Sequence, residues 1–282
     1  MSKKGLVLEG GAMRGMYTAG VMDVLMENEY EFEKIVGVSA GAAFGCNYKS
    51  KQIGRVIRYN LEYCGDPRLG GIKSLIETGD LYNVEFAYHT LPNELDVFDG
   101  ETFAANPSEF FVVTTNVETG KPHYQLLASG TDEDVEWIRA SASMPGVSNP
   151  VAIGDGLHLD GGIADPIPLK WMLQKQVAKN IVVLTRPEGY IKPKANKPVT
   201  KVMLKNYPNL ASSMLNRHKV YNQSVEYCEL QEHLGNALII RPSKDLGLKR
   251  TEKDPEKLQA MYDLGRSDAI QKLDQIKQFF EN

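Results

Sequence analysis

The chain reads as an α/β protein, a three-layer α/β/α arrangement with a mostly parallel central sheet and a helix-rich C-terminal extension. Three observations predict it. Short apolar runs, Gly5–Glu9, Ile35–Val38, Glu109–Thr115 and Ile181–Thr185, recur among segments whose apolar residues keep helical spacing. Two glycine-rich turns, Gly10–Gly15 and Gly37–Gly41, stand between a strand and a helix. After Arg186 the pattern becomes helical, at Leu210–Cys228 and Pro255–Phe280, with one strand at Ala237–Arg241 between them. This change of character divides the chain into residues 1–185 and an extension, 186–282, packed on or beside them.

At 282 residues, 42% hydrophobic and 24% charged, the chain can bury a full core, and wholesale disorder is excluded. Its 32 basic and 36 acidic residues, net −4, provide no global attraction for nucleic acid. The three cysteines, Cys46, Cys64 and Cys228, lack C-x-x-C spacing, which argues against a disulfide framework or a structural zinc site and suits a reducing compartment. The apolar run Leu6–Leu8 is broken at once by Glu9 and two glycines, so it is no signal-peptide core. No stretch approaches the roughly 20 apolar residues of a membrane helix. A soluble, cytoplasmic protein is expected.

Taken in order, the strand Gly5–Glu9 leads through Gly10, Gly11, Ala12, Met13, Arg14 and Gly15 into a helix over Met16–Glu27, where Val21, Val24 and Leu25 keep helical spacing. Such a turn brings backbone N–H groups close to an anion. A phosphate-binding P-loop fails, because Met16 and Tyr17 follow Gly15 where Lys and Ser or Thr are needed. The dinucleotide fingerprint fails at Ala12, where its second glycine belongs. The strand Ile35–Val38 then runs into Ser39 and a helix opening on Ala40, Gly41, Ala42 and Ala43. Gly37, Ser39 and Gly41 make G-x-S-x-G, in which a sharp strand-to-helix turn projects the hydroxyl and needs neighbours without bulk. Ser39 is the candidate nucleophile, and with it the N–H groups of Gly11 and Ala12 become candidate oxyanion donors.

A helix is expected over Ile53–Cys64, a loop over Asp66–Gly71, and partial helix over Ser74–Leu91. The strand Glu109–Thr115 pairs through a hairpin at Glu118–Lys121 with His123–Ala128. In the helix Asp132–Ser141, the acids Asp132, Glu133 and Asp134 suit the first-turn dipole and are structural. The strand Leu157–Asp160 delivers Asp160 into Gly161 and Gly162, at a strand end where open α/β sheets place ligands, although an Asp that merely holds the turn is an alternative. Pro166 and Pro168 open a helix over Leu169–Val177. Lys192, Lys194, Lys197, Lys201 and Lys205, with a helical pattern at Val199–Met203, form a basic stretch whose prolines favour a solvated linker over a surface resting on anionic lipid. None of His89, His123, His158, His218 and His233 has neighbours suited to a triad, which points to a base other than histidine.

Four ordered blocks, the glycine-rich turn with Arg14, G-x-S-x-G, Ala140–Pro145 (ASASMP) and Asp160-Gly161-Gly162, resemble the patatin-like phospholipase family over residues 5 to about 185. The opening LVLEGGAMRG and the tail are most similar to its bacterial subgroup. The resemblance implies a Ser-Asp dyad, with Ser39 as nucleophile and Asp160 as base, and Gly10–Gly15 as oxyanion hole. It implies a serine acyl hydrolase of the phospholipase, lysophospholipase or esterase type, acting on a lipid or acyl-ester substrate without metal or cofactor; the basic stretch leaves transient membrane-surface contact open. A lipid-binding regulatory module without turnover and an acyl transferase using the same serine stand as alternatives. Two departures are present: Ala12 replaces a customary third glycine, and Asp165-Pro166 occupies the region where many members carry Asn. If residue 12 needs positive φ, the alanine is strained.

Overall fold

The computed structural model describes residues 3–154, 156–194 and 206–281. In chain order its elements are β1 (Lys4–Leu8), a 3₁₀ turn (Ala12–Gly15), α1 (Met16–Glu27), β2 (Lys34–Val38), α2 (Ala40–Lys49), α3 (Arg55–Tyr63) and α4 (Ile72–Thr78). A π-helical segment (Glu85–Leu95), α5 (Gly100–Ala105), β3 (Glu109–Asn116), β4 (Pro122–Leu127), α6 (Asp132–Ala142), β5 (Val151–Ile153) and β6 (Gly156–Asp160) come next. The chain continues through α7 (Leu169–Gln174), β7 (Lys179–Val183), α8 (Pro208–His233), β8 (Ala237–Ile240) and α9 (Pro255–Glu281).

The eight strands of the described residues join one sheet in the order β5-β6-β3-β2-β1-β7-β8, with β4 also paired to β3. The run β3-β2-β1-β7-β8 is parallel throughout, and the β4, β5 and β6 pairings are antiparallel. Period-two alternation explains the three layers. Leu6, Leu8 and Ile35 face a core shared with α1, α2 and α9, whereas Val7, Val36 and Val38 face a second core shared with α7 and α8. The predicted three-layer architecture is therefore present, and the segment after residue 185 supplies the edge strand β8 and both long helices.

The register of β3 fixes where β6 delivers Asp160. β2 pairs with Glu109–Val113 along one edge and stops there. β4 fills the opposite edge from Phe110 to Thr115, so β6, which pairs with Thr114–Asn116, takes over the edge that β2 vacates. Asp160, opposite Thr114, thus arrives one step beyond Val38, opposite Val113.

Most predicted elements appear within a few residues of their expected bounds, and the differences have local causes. Ser74–Leu91 divides at Gly79, whose φ of +82° ends α4. The helix from Leu169 stops at Gln174, because Gln176 takes a φ of +60°. α5 has six residues and forms on its cap, the Asp99 carboxylate accepting from the Thr102 N–H at 2.8 Å. β5 has three residues, too few for a period to show. The pattern at Val199–Met203 lies outside the described residues.

α1 and α9 cross closely because both present glycine at the crossing. A Cβ on Gly20 would run into the Tyr262 carbonyl oxygen, and one on Gly265 into the Tyr17 carbonyl oxygen. Two buried tyrosine–carboxylate pairs flank this contact, Tyr17 Oη donating to Asp268 at 3.1 Å and Tyr262 Oη to Asp23 at 2.6 Å. Burial raises the Asp23 carboxyl pKa, against the pull of Tyr262 and the Gly54 N–H. Replacing Gly265 by alanine pushes a methyl group into backbone that cannot move aside, and a loss of roughly 2 kcal/mol is expected. Urea unfolding of Gly265→Ala checks this, and an unchanged midpoint would show that the helices separate freely.

Candidate active site

The site begins where β1 and β2 end side by side. Ser39 has φ +56° and ψ −121°, a left-handed conformation that non-glycine residues avoid. The glycines around it make the turn sterically feasible. A Cβ on Gly41 would strike the Leu8 carbonyl oxygen, and one on Gly37 the Gly41 carbonyl oxygen. On the facing turn, a Cβ on Gly10 would stand 2.7 Å from the Val38 carbonyl oxygen and 2.8 Å from the Ser39 Cβ. Ser141 pins the elbow from the side: its Oγ accepts from the Ser39 N–H at 2.9 Å and donates to the Val113 carbonyl at 2.6 Å.

Asp160 ends β6 almost wholly buried, at 1% exposure. Its backbone N–H donates to the Ser143 carbonyl at 2.8 Å, and its Oδ1 accepts from the Gly162 N–H at 2.7 Å. The Thr115 hydroxyl donates to its carbonyl at 2.9 Å. Gly161 is required by packing, since a Cβ there would run into the Val113 carbonyl oxygen. Burial raises the Asp160 carboxyl pKa, while Arg217, the Ser39 hydroxyl and the Gly162 N–H pull it back down.

In the glycine-rich turn the Met13 N–H donates to the Arg250 carbonyl and the Arg14 N–H to the Gly11 carbonyl, each at 3.3 Å. The N–H groups of Gly11 and Ala12 make no hydrogen bond among the described residues, and both residues line the cavity that Ser39 also lines. Ala12 takes φ +51°, the positive value that its replacement of glycine puts under strain.

Two cavities meet at Ser39. The smaller, of about 50 Å³, is lined by Glu9, Gly10, Gly11, Ala12, Arg14, Ser39, Asp160 and Gly162, together with Met144, Pro166, Lys192, Arg217, Tyr221 and Arg250. The larger, of about 330 Å³, is mostly apolar, with Ala43, Phe44, Tyr59, Leu69, Leu81, Tyr88, Leu91 and Val147 in its wall, and shares Ala12, Ser39, Met144 and Arg250 with the first. Much of that wall comes from residues 51–108. Of the residues singled out from sequence, Ser39, Asp160, Gly10, Gly11, Ala12, Arg14 and Gly162 converge on the small cavity, and Met13 lines the large one. Gly15, Gly37, Gly41 and Gly161 line neither and serve as close-packing positions, Gly15 against Phe44.

Among the described residues no histidine lines either cavity. His123 stacks on Trp137 and His158 Nδ1 lies 2.8 Å from the Thr114 hydroxyl. Asp165 holds the Tyr124 hydroxyl at 2.7 Å, away from the pocket. Sequence reading missed Glu9, Ser141, Arg217, Tyr221 and Arg250, and assigned Lys192 to a solvated linker, where the fold instead brings it into the small cavity. Glu9 carries a signal, an acid directly before a glycine-rich turn, and Ser141 lies in the ASASMP block; Arg217, Tyr221 and Arg250 carry none. Among the described residues no group of His, Cys, Asp and Glu is arranged to hold a metal, and no helix is long and apolar enough to cross a membrane.

The chain is similar to several known proteins. A 34% identical segment of 187 residues is shared with the uncharacterized protein YjjU of Escherichia coli, covering 64% of this chain and 50% of that one. The probable lipid hydrolase 463L of invertebrate iridescent virus 6 is 22% identical over 198 residues, 63% of this chain and 66% of that protein. The uncharacterized NTE family protein Rv2565 of Mycobacterium tuberculosis is 29% identical over 177 residues, 60% and 28% respectively. The chain thus spans half or less of YjjU and Rv2565. The solved structure of VipD from Legionella pneumophila aligns with a TM-score of 0.48 at 15% identity, over 98% of this chain and 67% of that one. Residues 207–281 match a domain of unknown function, DUF6363. Residues 6–172 match the family model of patatin-like phospholipases, and the chain belongs to that family.

Proposed function

We propose that the protein is a serine acyl hydrolase that cleaves a lipid acyl ester through a Ser39–Asp160 dyad. One observation carries the reading: Ser39 in its left-handed turn, the buried Asp160 carboxylate and the uncommitted N–H groups of Gly11 and Ala12 share one pocket that opens into a 330 Å³ apolar cavity. Ser39 Oγ attacks the ester carbonyl as its proton passes to Asp160. The Gly11 and Ala12 N–H groups hold the tetrahedral oxyanion, a contribution of about 10² in rate for each donor removed. Collapse expels the alcohol, which takes the proton from Asp160, and leaves acyl-Ser39. Water, deprotonated by Asp160, then attacks the acyl carbonyl; as the C–O bond to Ser39 breaks, Asp160 returns that proton to Ser39 Oγ and the carboxylic acid is released. A carboxylate at its ordinary pKa near 3.9 is a weak base for serine, and burial at Asp160 narrows the mismatch.

Four measurements follow from this reading. A fluorophosphonate probe followed by intact mass is expected to add once to the wild type, not to Ser39→Ala, and at least ~10²-fold more slowly to Asp160→Asn. Absence of an adduct on the wild type would point to a lipid-binding module without turnover, and product analysis with an added alcohol separates hydrolysis from acyl transfer. Since Asp160 acts deprotonated and its pKa is raised, kcat/KM for a short-chain ester should rise with pH through a limb above the ordinary carboxylate value near 3.9. A limb at or below that value would remove Asp160 as the titrating base. For Ala12→Gly, relief of the left-handed alanine is worth roughly 1 kcal/mol, or a Tm rise of about 2 °C; a lower Tm by scanning calorimetry would contradict the strain at residue 12.

A further inference from the structure

The small cavity carries more positive charge than the dyad uses. Arg14, Lys192, Arg217 and Arg250 all line it, against two carboxylates, Glu9 and Asp160. None of the four cations forms an ion pair with a carboxylate among the described residues. Arg14 is 6% exposed and its Nε has no hydrogen-bond partner among the described residues. Glu9 is occupied otherwise, accepting from the Thr185 N–H at 2.6 Å. Arg217 spends its Nε on the Gly162 carbonyl at 2.7 Å, which leaves the terminal nitrogens of its guanidinium. Lys192 places its ammonium 3.9 Å from the centre of the Tyr221 ring. Burial, then Arg217, push its pKa down to about 7, and burial, then Arg186, push that of Arg14 down to about 10. Such mutual repulsion among partly buried cations is costly unless an anion enters between them.

We infer that Arg14, Lys192, Arg217 and Arg250 form an anion subsite beside Ser39 that binds the phosphate of a phosphate-bearing acyl ester, whose chain fills the apolar cavity. The inference rests on the hydrolase reading only for the position of the ester. With the carbonyl at Ser39, the two cavities take the two ends of the substrate, the acyl chain on one side and the alcohol with its phosphate on the other. Three of the four cations lie outside residues 6–172: Lys192 comes after β7, Arg217 is on α8, and Arg250 precedes α9. Arg217 and Arg250 fall within the DUF6363 segment, which thereby acquires a role in substrate choice. Guanidinium groups suit this task because their planar donors match phosphate oxygens in pairs.

The test is binding to the full-length Ser39→Ala protein, in which no turnover is required. Calorimetric titration with octanoylglycerol phosphate and with octanoylglycerol, both below their micelle concentrations, is expected to favour the phosphate ligand by at least ~10-fold. Adding Lys192→Gln or Arg250→Gln should each cut that preference by about 10-fold, the cost of one charged hydrogen bond. Arg250 is exposed and Lys192 half-buried, so both variants are expected to fold, which circular dichroism checks. Inorganic phosphate alone should bind at least ~10-fold more weakly than octanoylglycerol phosphate. Equal affinity for the neutral and phosphorylated ligands, or a preference unmoved by both substitutions, would overturn the subsite. Inorganic phosphate binding as tightly as the lipid would overturn the headgroup assignment in favour of a free-phosphate site. Failure of the fluorophosphonate reaction would sink the hydrolase and leave these binding results standing.

Discussion

The contact between two turns governs the rest of the structure. β1 and β2 run side by side at strand spacing, and both chains turn away at the same level of the sheet. At that level Gly10 lies against the Val38 carbonyl and Ser39, and Gly41 lies against the Leu8 carbonyl. Any side chain at these positions would separate the turns. Their closeness brings Ser39, Gly11 and Ala12 to one cavity, with Ser39 and Ala12 at positive φ. Strain at these two residues is held in place by the well-packed sheet beneath them.

The second constraint is electrostatic. Asp160 is held almost out of water by the handover of the β3 edge from β2 to β6, and the small-residue C-terminal end of α6 fastens both Ser39 and Asp160. Ser141 takes the Ser39 N–H, and the Ser143 carbonyl takes the Asp160 N–H. Burial alone would drive the Asp160 carboxyl toward neutrality; Arg217 and the Ser39 hydroxyl oppose it. The arginine that pulls this carboxyl back down also lines the small cavity, so ionisation of Asp160 and charge in the pocket are linked through one side chain.

Much of this molecule is written locally. Apolar runs ending in glycine-rich turns specify β1, β2 and their helices, because strand and turn preferences are properties of a few adjacent residues. G-x-S-x-G and Asp-Gly-Gly report steric needs of single turns, which is why Ser39 and Asp160 were legible as candidates. Short elements escaped: α5 depends on one Asp99 cap, and β5 on its pairing with β6.

Sequence by itself determined the three-layer class, the elbow, the strand-end carboxylate and the exclusion of phosphate-loop and dinucleotide chemistry. Tertiary structure decided which distant residues share the pocket. Lys192, Arg217 and Arg250 lie far from Ser39 along the chain, and the lysine sits in a stretch that reads as a linker. Each has the composition of an ordinary surface cation, and only the packing of α8 against one sheet face and of Leu248, in the segment before α9, against the other core brings them to one cavity. Charge convergence of this kind has no period and no motif, because it is a property of distances in space and not of spacing in the chain.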